Sequence, residues 1–388
     1  MSATEVCDAI VIGAGVVGAA CAYYLSAAGA QVTILDRGSV AGGTSGAGEG
    51  NILVSDKELG PELELALYSG RLWQELGEEF AEVIELEPKG GLVVAATAAT
   101  MGALGALAQR QQAAGVRTEA VAAGELRELE PRIAPGLHGG IFYRQDMQVQ
   151  PMLAAAQLIA AARRRGARLY SGCDVTAIIR SSGGGIGGVL SARGPISAPV
   201  LINAAGTWGG AVAGLAGVSL PVMPRRGFIL VTEPLAPVVR HKVYTAEYVA
   251  NVASGSEQLQ SSTVVEGTRG GTVLIGATRE RTGFDSTTSW EAIGRLAAGA
   301  VALFPFLGAA RALRAYHGFR PYCPDHLPVI GPDPRVPGLF HAVGHEGAGI
   351  GLAPATGRLI AQAVSAERTD LALEPFSPVR FRSPEADD

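Results

Sequence analysis

The chain is short of cysteine, of aromatic residues and of positive charge, and each scarcity removes a class of protein. Among its 388 residues the four cysteines, Cys7, Cys21, Cys173 and Cys323, are scattered, with no CxxC pair and no His/Cys spacing of a metal-ligand set. That excludes a disulfide framework and a zinc or iron–sulfur site within the chain, and it fits a reducing, cytoplasmic setting. Lys and Arg number 31 against 36 Asp and Glu, a net charge of −5, and aromatics make up only 6%, so no basic surface with interleaved aromatics is offered to nucleic acid. The triplet Arg163, Arg164, Arg165 closes an Ala-rich helical run and reads as a solvated helix C-terminus. Long, strongly apolar runs are also missing. The two uncharged stretches, 90–109 and 201–224, are dominated by Gly, Ala and Thr, and each splits into strand, turn and small-residue helix, so no membrane span is expected. The first strand begins almost at once, which leaves no room for a signal peptide.

What is abundant is glycine, 53 residues, within a chain that is 48% hydrophobic and long enough for two domains. The glycines are concentrated first in Ala9-Ile10-Val11-Ile12-Gly13-Ala14-Gly15-Val16-Val17-Gly18, which runs on to Val32-Thr33-Ile34-Leu35-Asp36-Arg37. This reads as buried strand, glycine turn, helix and second strand ending in an acid. Gly13 permits the tight turn, Gly15 lets backbone approach a pyrophosphate, and Gly18 lets helix pack closely on strand. The helix N-terminus, with Val16 and Val17, offers N–H groups and partial positive charge to phosphates, and Asp36 stands where an acid accepts hydrogen bonds from a ribose. A glycine-rich helix contact without ligand is the competing reading. The strand–helix–strand context favours a dinucleotide site.

The Gly/Ser/Thr loop 38–51 follows, with backbone open to a flat or charged ligand. A helix is expected over 61–80, then a strand from Gly91 to Ala96, an Ala/Leu helix to about Ala114, a helix over 122–131 and a strand over 141–149. Pro151 opens another helix at its first turn. The run Val200-Leu201-Ile202-Asn203-Ala204-Ala205-Gly206-Thr207-Trp208 is a buried strand ending at a glycine turn, a return to the nucleotide domain. Strands dominate from about Val222 to Tyr316. The tail again reads strand, turn, helix over 339–364. The fold class expected is α/β, α+β overall: a discontinuous Rossmann-like domain of residues 1–87, 147–221 and 317–388, and a β-sheet-rich domain of residues 88–146 and 222–316.

Two late motifs join the opening one and the Asn203-to-Trp208 strand. They are Gly318-Phe319-Arg320-Pro321 with Asp325-His326-Leu327-Pro328-Val329-Ile330-Gly331, and Gly344-His345-Glu346-Gly347-Ala348-Gly349-Ile350-Gly351. In this order they span nearly the whole chain, which resembles the FAD-dependent D-amino acid oxidase superfamily in its glycine oxidase, sarcosine oxidase and D-hydroxyproline dehydrogenase β-subunit branch. The resemblance implies an FAD domain and a substrate domain whose sheet covers one flavin face. It implies that Gly13, Gly15, Val16, Val17, Gly18, Asp36 and Arg37 hold the adenosine and pyrophosphate side, although the family more often has Glu where Asp36 stands. Thr44 and Ser45 match phosphate or ribityl contacts; Gly50, Asn51 and Ile52 match the loop beside the flavin ring; Val175 matches the valine whose backbone reads adenine. Ala205, Gly206 and Trp208 line the pyrophosphate and flavin side. Gly347, Gly349 and Ile350 introduce a last helix whose N-terminus points at the flavin pyrimidine edge, where it stabilises charge on reduction.

The same resemblance makes Arg320 the clamp on a substrate carboxylate, holding Cα–H over flavin N5 for hydride transfer and imine formation. A structural arginine before a proline is the bland alternative. Glu346 is a candidate for holding a substrate ammonium, with a solvated turn acid as the plainer reading. His345 and Tyr248 are weaker candidates, more commonly packed at a domain boundary. Arg279 occupies the strand that is comparable to the one bearing an oxygen-activating lysine in the sarcosine oxidase branch. The carboxylate-binding tyrosine of the glycine oxidase branch is absent near Ser261 and Ser262, and Gly347 replaces an arginine of that branch. The stretch is closer to heteromeric dehydrogenase β-subunits and hydrogen cyanide synthase subunits. Gly318 stands where the sarcosine oxidase branch carries its flavin-linking cysteine, so FAD is expected to be noncovalent. The expected substrate is a small amino or imino acid: an N-substituted glycine, a cyclic imino acid or a D-amino acid. The electron acceptor is O2 or a partner subunit, with the chain alone or in a homo- or hetero-oligomer. The rivals are a β-subunit passing electrons to partner chains and a non-catalytic flavin-binding assembly subunit.

Overall fold

The computed structural model describes residues 5–252 and 255–381; residues 1–4 and 382–388, the ends of the first expected domain, lie outside them. The chain divides into two compact units, Met1–Gly46 with Pro151–Pro224 and Arg320–Asp388, and Ala47–Gln150 with Arg225–Phe319.

The first unit is built on a six-stranded sheet in the order Val329–Pro332, Leu339–Val343, Val200–Asn203, Ala9–Ile12, Val32–Leu35, Arg168–Tyr170. Its pairs are parallel except the first, which is an antiparallel hairpin. Parallel strands are covered on both faces, and the inner strands Ala9–Ile12 and Val32–Leu35 are accordingly buried throughout. The helices Val16–Ala27, Pro151–Arg164 and Gly349–Val364 pack together, Val16–Ala27 touching both others. Gly357 makes the crossing with Val16–Ala27 close: a Cβ there would lie 2.5 Å from the Ala20 carbonyl carbon. A second, four-stranded sheet of Glu5–Val6, Gly194–Ser197, Ile186–Ser191 and Val175–Arg180 contributes Val175, Val189 and Ile196 to one core with Ile10, Ile12, Leu201 and Leu339.

The second unit holds an eight-stranded sheet ordered Ala312–Tyr322, Met223–Thr232, Val273–Arg279, Gln260–Gly267, Lys242–Thr245, Gly91–Ala95, Gly139–Tyr143, Thr118–Ala122. The helix Trp290–Leu303 covers its middle strands, with Leu296 and Phe304 packed on Phe228, Val243, Val265 and Ile275. The amphipathic helix Pro61–Ile84 buries Leu63, Leu72, Trp73, Leu76 and Phe80.

Several expectations shift. Residues 47–87, placed with the first domain from sequence, pack in the second unit. Asn51–Ile52 pairs with Met147–Gln148, Glu87 bridges Gln148, and the buried Asp146 carboxylate accepts the Val54 and Ser55 N–H groups. The helix expected over 122–131 shrinks to Leu126–Leu129, because the residues before it form the edge strand Thr118–Ala122. The strand Ala312–Tyr322 runs past Tyr316, where the strand-rich region was expected to end, and its first residues are exposed.

Candidate functional site

In the first unit the opening turn has the close approaches that its glycines predict. Gly13 has φ 114°, and a Cβ on it would lie 2.3 Å from the Ala204 carbonyl oxygen. A Cβ on Gly18 would lie 2.0 Å from the Gly13 carbonyl oxygen, so the helix rides directly on the turn. Gly15 is the N-cap of Val16–Ala27, supplies no side-chain cap, and no acid occupies the first turn. The N-terminus is therefore open to an anion. The Ser45 hydroxyl accepts from the Val16 N–H at 3.0 Å, which ties the short 3₁₀ turn Thr44–Ala47 to the helix end.

Asp36 follows its strand as expected, and its carboxylate also braces the loop. One oxygen accepts from the Ala14 N–H at 2.6 Å and the other from the Gly38 N–H at 2.7 Å. A carboxylate has about four lone-pair sites, so two remain for ribose hydroxyls. The Arg37 guanidinium lies 3.9 Å from the Trp208 ring centroid, a cation–π contact. Ala205 precedes the 3₁₀ turn Gly206–Trp208, in which Gly206 takes φ 54°, and its N–H is held by the Asn203 side chain. Asn203 in turn donates to Gly209 and to His341 Nδ1, which leaves the His341 Nε2 proton for Asp333. Burial alone would raise the Asp333 carboxyl, but hydrogen bonds from Arg335 and His341 hold it well below the usual range. Val175 begins its strand at an irregularity in the ladder.

The last helix, Gly349–Val364, starts after the 3₁₀ turn Glu346–Ala348, again with no side-chain cap and no acid in its first turn. Gly349 and Ile350 thus open a helix whose N-cap gives no side-chain bond and whose first turn carries no acid. Arg320 passes beside Gly347: a Cβ there would lie 3.5 Å from Arg320 Nε. The structure brings these two residues together, and the arginine of the glycine oxidase branch at 347 would crowd that flank.

Glu346 is buried, adopts φ 47°, and its carboxylate meets His326 Nδ1 at 3.1 Å; His326 itself has φ 60°. Two non-glycine residues in the left-handed region facing each other constitute local strain of the kind held at functional sites. His326 was not singled out from sequence, although it lies within the quoted Asp325-to-Gly331 motif. His345 is only 4% exposed, and burial pushes its imidazole down to about 3. The Thr356 hydroxyl gives its proton to Leu352, so it accepts from His345 Nε2–H at 3.0 Å. His345 is a neutral, helix-bound side chain.

Among the expected residues of the second unit, Gly50 would put a Cβ 2.0 Å from the Val149 carbonyl oxygen, and its N–H donates to Glu266. Glu266 is ion-paired with Lys242, both fully buried. Asn51 donates to Glu49, and Ile52 is buried beside it. Gly318 leaves no room for a side chain, since a Cβ would lie 2.7 Å from the Ala47 Cβ. Cys323 is buried in the first unit, and burial pushes its thiol up to about 12. Neither position suits a flavin–thioether link. Tyr248, on helix Ala246–Val252, stacks edge-on with Tyr244 and lies under Arg279. Sequence reasoning missed a buried network here: Ser55 and Tyr244 donate to Asp146, while Tyr143 donates to the Gln111 side-chain oxygen and the Gln111 amide donates to the Lys57 carbonyl. Burial pushes the Asp146 carboxyl up to about 6, against hydrogen bonds from Ser55, Val54 and Tyr244.

The donor set of the first unit fits a dinucleotide cofactor: two helix N-termini without an acid in the first turn, a turn with no space for side chains, and an acid at the ribose position. Comparison with known proteins agrees. Residues 8–363 match the family described as FAD dependent oxidoreductase (DAO). Glycine oxidase of Geobacillus kaustophilus is 31% identical over 381 residues, covering 96% of this chain and 97% of that enzyme. Its crystal structure superposes with a TM-score of 0.89 over 98% of this chain and 100% of that one, at 30% identity. Hydrogen cyanide synthase subunit HcnC of Pseudomonas aeruginosa is 34% identical over 261 residues, covering 66% of this chain and 58% of that subunit, so the match spans under two thirds of the relative's length. No helix among the described residues is long and apolar enough to cross a membrane.

Proposed function

The chain belongs to the FAD dependent oxidoreductase (DAO) family, and from that premise we propose that it oxidises the Cα–N bond of a small amino or imino acid. The substrate loses two electrons and two protons to give an imine, and water then yields a keto acid or glyoxylate and an amine. FAD, held without a covalent link, supplies the two-electron acceptor when bound.

The observation that carries this reading is Arg320 lying against Gly347, two residues before the helix start at Gly349. A planar guanidinium binds a carboxylate bidentately and fixes the orientation of Cα. The positive end of the Gly349–Val364 helix favours negative charge in the same part of the unit. His326 fixes the Glu346 carboxylate, so any substrate ammonium it takes shares it with His326. No side-chain base is required when the amine arrives neutral. The substrate classes are N-substituted glycines, cyclic imino acids and D-amino acids, and the setting is cytoplasmic.

The test is an anaerobic screen of these amines for bleaching of the FAD spectrum, with product identification. Bleaching by members of these classes, with keto acid or glyoxylate released, supports the reading. Bleaching by none of them refutes it. The similarity to hydrogen cyanide synthase subunit HcnC favours a second reading, a subunit that passes electrons to a partner chain. Aerobic turnover separates the two: peroxide formed in step with substrate loss marks an oxidase, whereas turnover only with an artificial dye marks the partner-dependent form.

A further inference from the structure

In the first unit a line of hydrogen-bonded side chains runs from the surface to the turn Gly206–Trp208. Arg335, partly exposed, forks onto the Asp333 carboxylate at 2.8 and 2.6 Å. Asp333 reaches His341 Nε2 at 3.0 Å, and His341 Nδ1 lies 3.2 Å from the Asn203 amide nitrogen. Asn203 and His341 are register partners at the carboxyl ends of adjacent parallel strands, and both are 0% exposed.

Two backbone groups fix which way the Asn203 amide points. Its oxygen accepts from the Ala205 N–H at 3.3 Å, and its nitrogen donates to the Gly209 carbonyl at 2.8 Å. These residues are the two ends of the turn. The second amide N–H is aimed at His341 Nδ1, which must therefore be bare, with the ring proton on Nε2 facing Asp333. A further proton on Nδ1 would set two donors against each other. Turning the amide over gives no relief: its oxygen would face the Gly209 carbonyl and its nitrogen the Ala205 N–H. Either way, repulsion enters the bonds that hold the turn.

The elements packed around His341 add little other charge. The strands Val200–Asn203, Leu339–Val343 and Val329–Pro332, the helices Val16–Ala27 and Gly209–Leu215 and the turn itself contain no Asp, Glu, Lys or Arg. Val16–Ala27 brings only the uncharged Cys21, Tyr23 and Tyr24. The helix Gly349–Val364 carries Arg358, which is paired with Asp370. Asp333, with Arg335 behind it, is thus the charged group in contact with the ring.

We propose that His341 is a positioning residue for the cofactor: through Asn203 it keeps the turn 205–208 in shape while Nδ1 is bare, and proton uptake at that one nitrogen loosens the hold on FAD. The Asp333–Arg335 pair sets how readily the proton is taken. This rests on the reading of Ala205, Gly206 and Trp208 as lining the cofactor.

The experiment uses the FAD-loaded chain from neutral to mildly acidic pH, within the range where far-ultraviolet circular dichroism is constant. FAD release is followed by fluorescence on dilution, and the turn by Trp208 emission taken as the difference from Trp208→Phe. His345, at about 3, titrates below this range. In wild type FAD should be held more weakly as pH falls, by up to about tenfold per pH unit for one coupled proton, with the Trp208 signal moving in step. His341→Gln should flatten both profiles. Arg335→Ala should move the midpoint of release to higher pH, because Asp333 without its guanidinium attracts a proton on His341 more strongly. A purely structural arginine would weaken FAD at every pH and leave the midpoint in place. Both profiles flat in wild type, or both surviving in His341→Gln, overturn the inference. If His341→Gln holds no FAD at any pH, the Arg335→Ala midpoint decides: an upward shift supports the relay, and an unchanged one overturns it. A Trp208 signal that follows His341 while FAD retention stays flat overturns the link to the cofactor, and the failure then lies in the reading of the turn.

Discussion

Replacing His345 with Gln should remove an acid-side weakness that can be worked out from its surroundings. The imidazole is buried, donates through Nε2 to Thr356, and is held at about 3 against an ordinary 6.5. Between these values the unfolded chain binds a proton at this position that the folded chain does not, so stability falls as pH falls. The contribution is fully present above pH 6.5. Integrating from pH 7.5 to pH 5 gives a loss of about 2 kcal/mol, at about 1.4 kcal/mol per pH unit once below 6.5. Gln can still donate to Thr356 but does not titrate. Urea unfolding of wild type and His345→Gln, followed on the transition of the first unit at several pH values, isolates the term as a difference. The variant should lose about 2 kcal/mol less than wild type over this range. Parallel profiles would show that His345 is not held neutral and would refute the reasoning.

Asp146 should give the opposite sign. Its folded value of about 6 lies above its ordinary 3.8, so stability is lost as pH rises through this window. Asp146→Asn should flatten that loss, worth up to about 3 kcal/mol, in the transition of the second unit. Gly18→Ala places a methyl 2.0 Å from the Gly13 carbonyl oxygen. Because that neighbour is backbone, overpacking should cost about 1–3 kcal/mol and yield FAD-poor protein, read from the visible-to-ultraviolet absorbance ratio. Asp36→Asn can no longer brace Ala14 and Gly38 with two charged oxygens and still serve ribose. FAD release, followed by fluorescence on dilution, should show about tenfold weaker retention, and unchanged retention would contradict the loop-bracing role.

The nucleotide half was legible because its determinants are local. Gly13 and Gly18 are required by contacts within a few residues or with the adjacent strand, and glycine is the one residue that satisfies them. The last helix and the Val200–Asn203 strand were legible for the same reason: short apolar runs ending at glycine turns. The boundary at residue 47 was not, since it depends on Asn51–Ile52 pairing with Met147–Gln148, almost a hundred residues away. The left-handed backbone of His326 and Glu346 left no mark, because neither residue type announces it. The Asp146 network is likewise invisible in the chain, where an aspartate looks the same whether or not its partners are present.

The central claim is that Arg320 holds the carboxylate of the molecule being oxidised, and the most direct measurement is anaerobic bleaching of bound FAD by an amino acid in Arg320→Ala and Arg320→Lys. With FAD content equal to wild type, the account predicts no bleaching at accessible concentrations for Ala and about 10- to 100-fold weaker apparent substrate binding for Lys, which cannot form the bidentate pair. Wild-type bleaching in Arg320→Ala would contradict it.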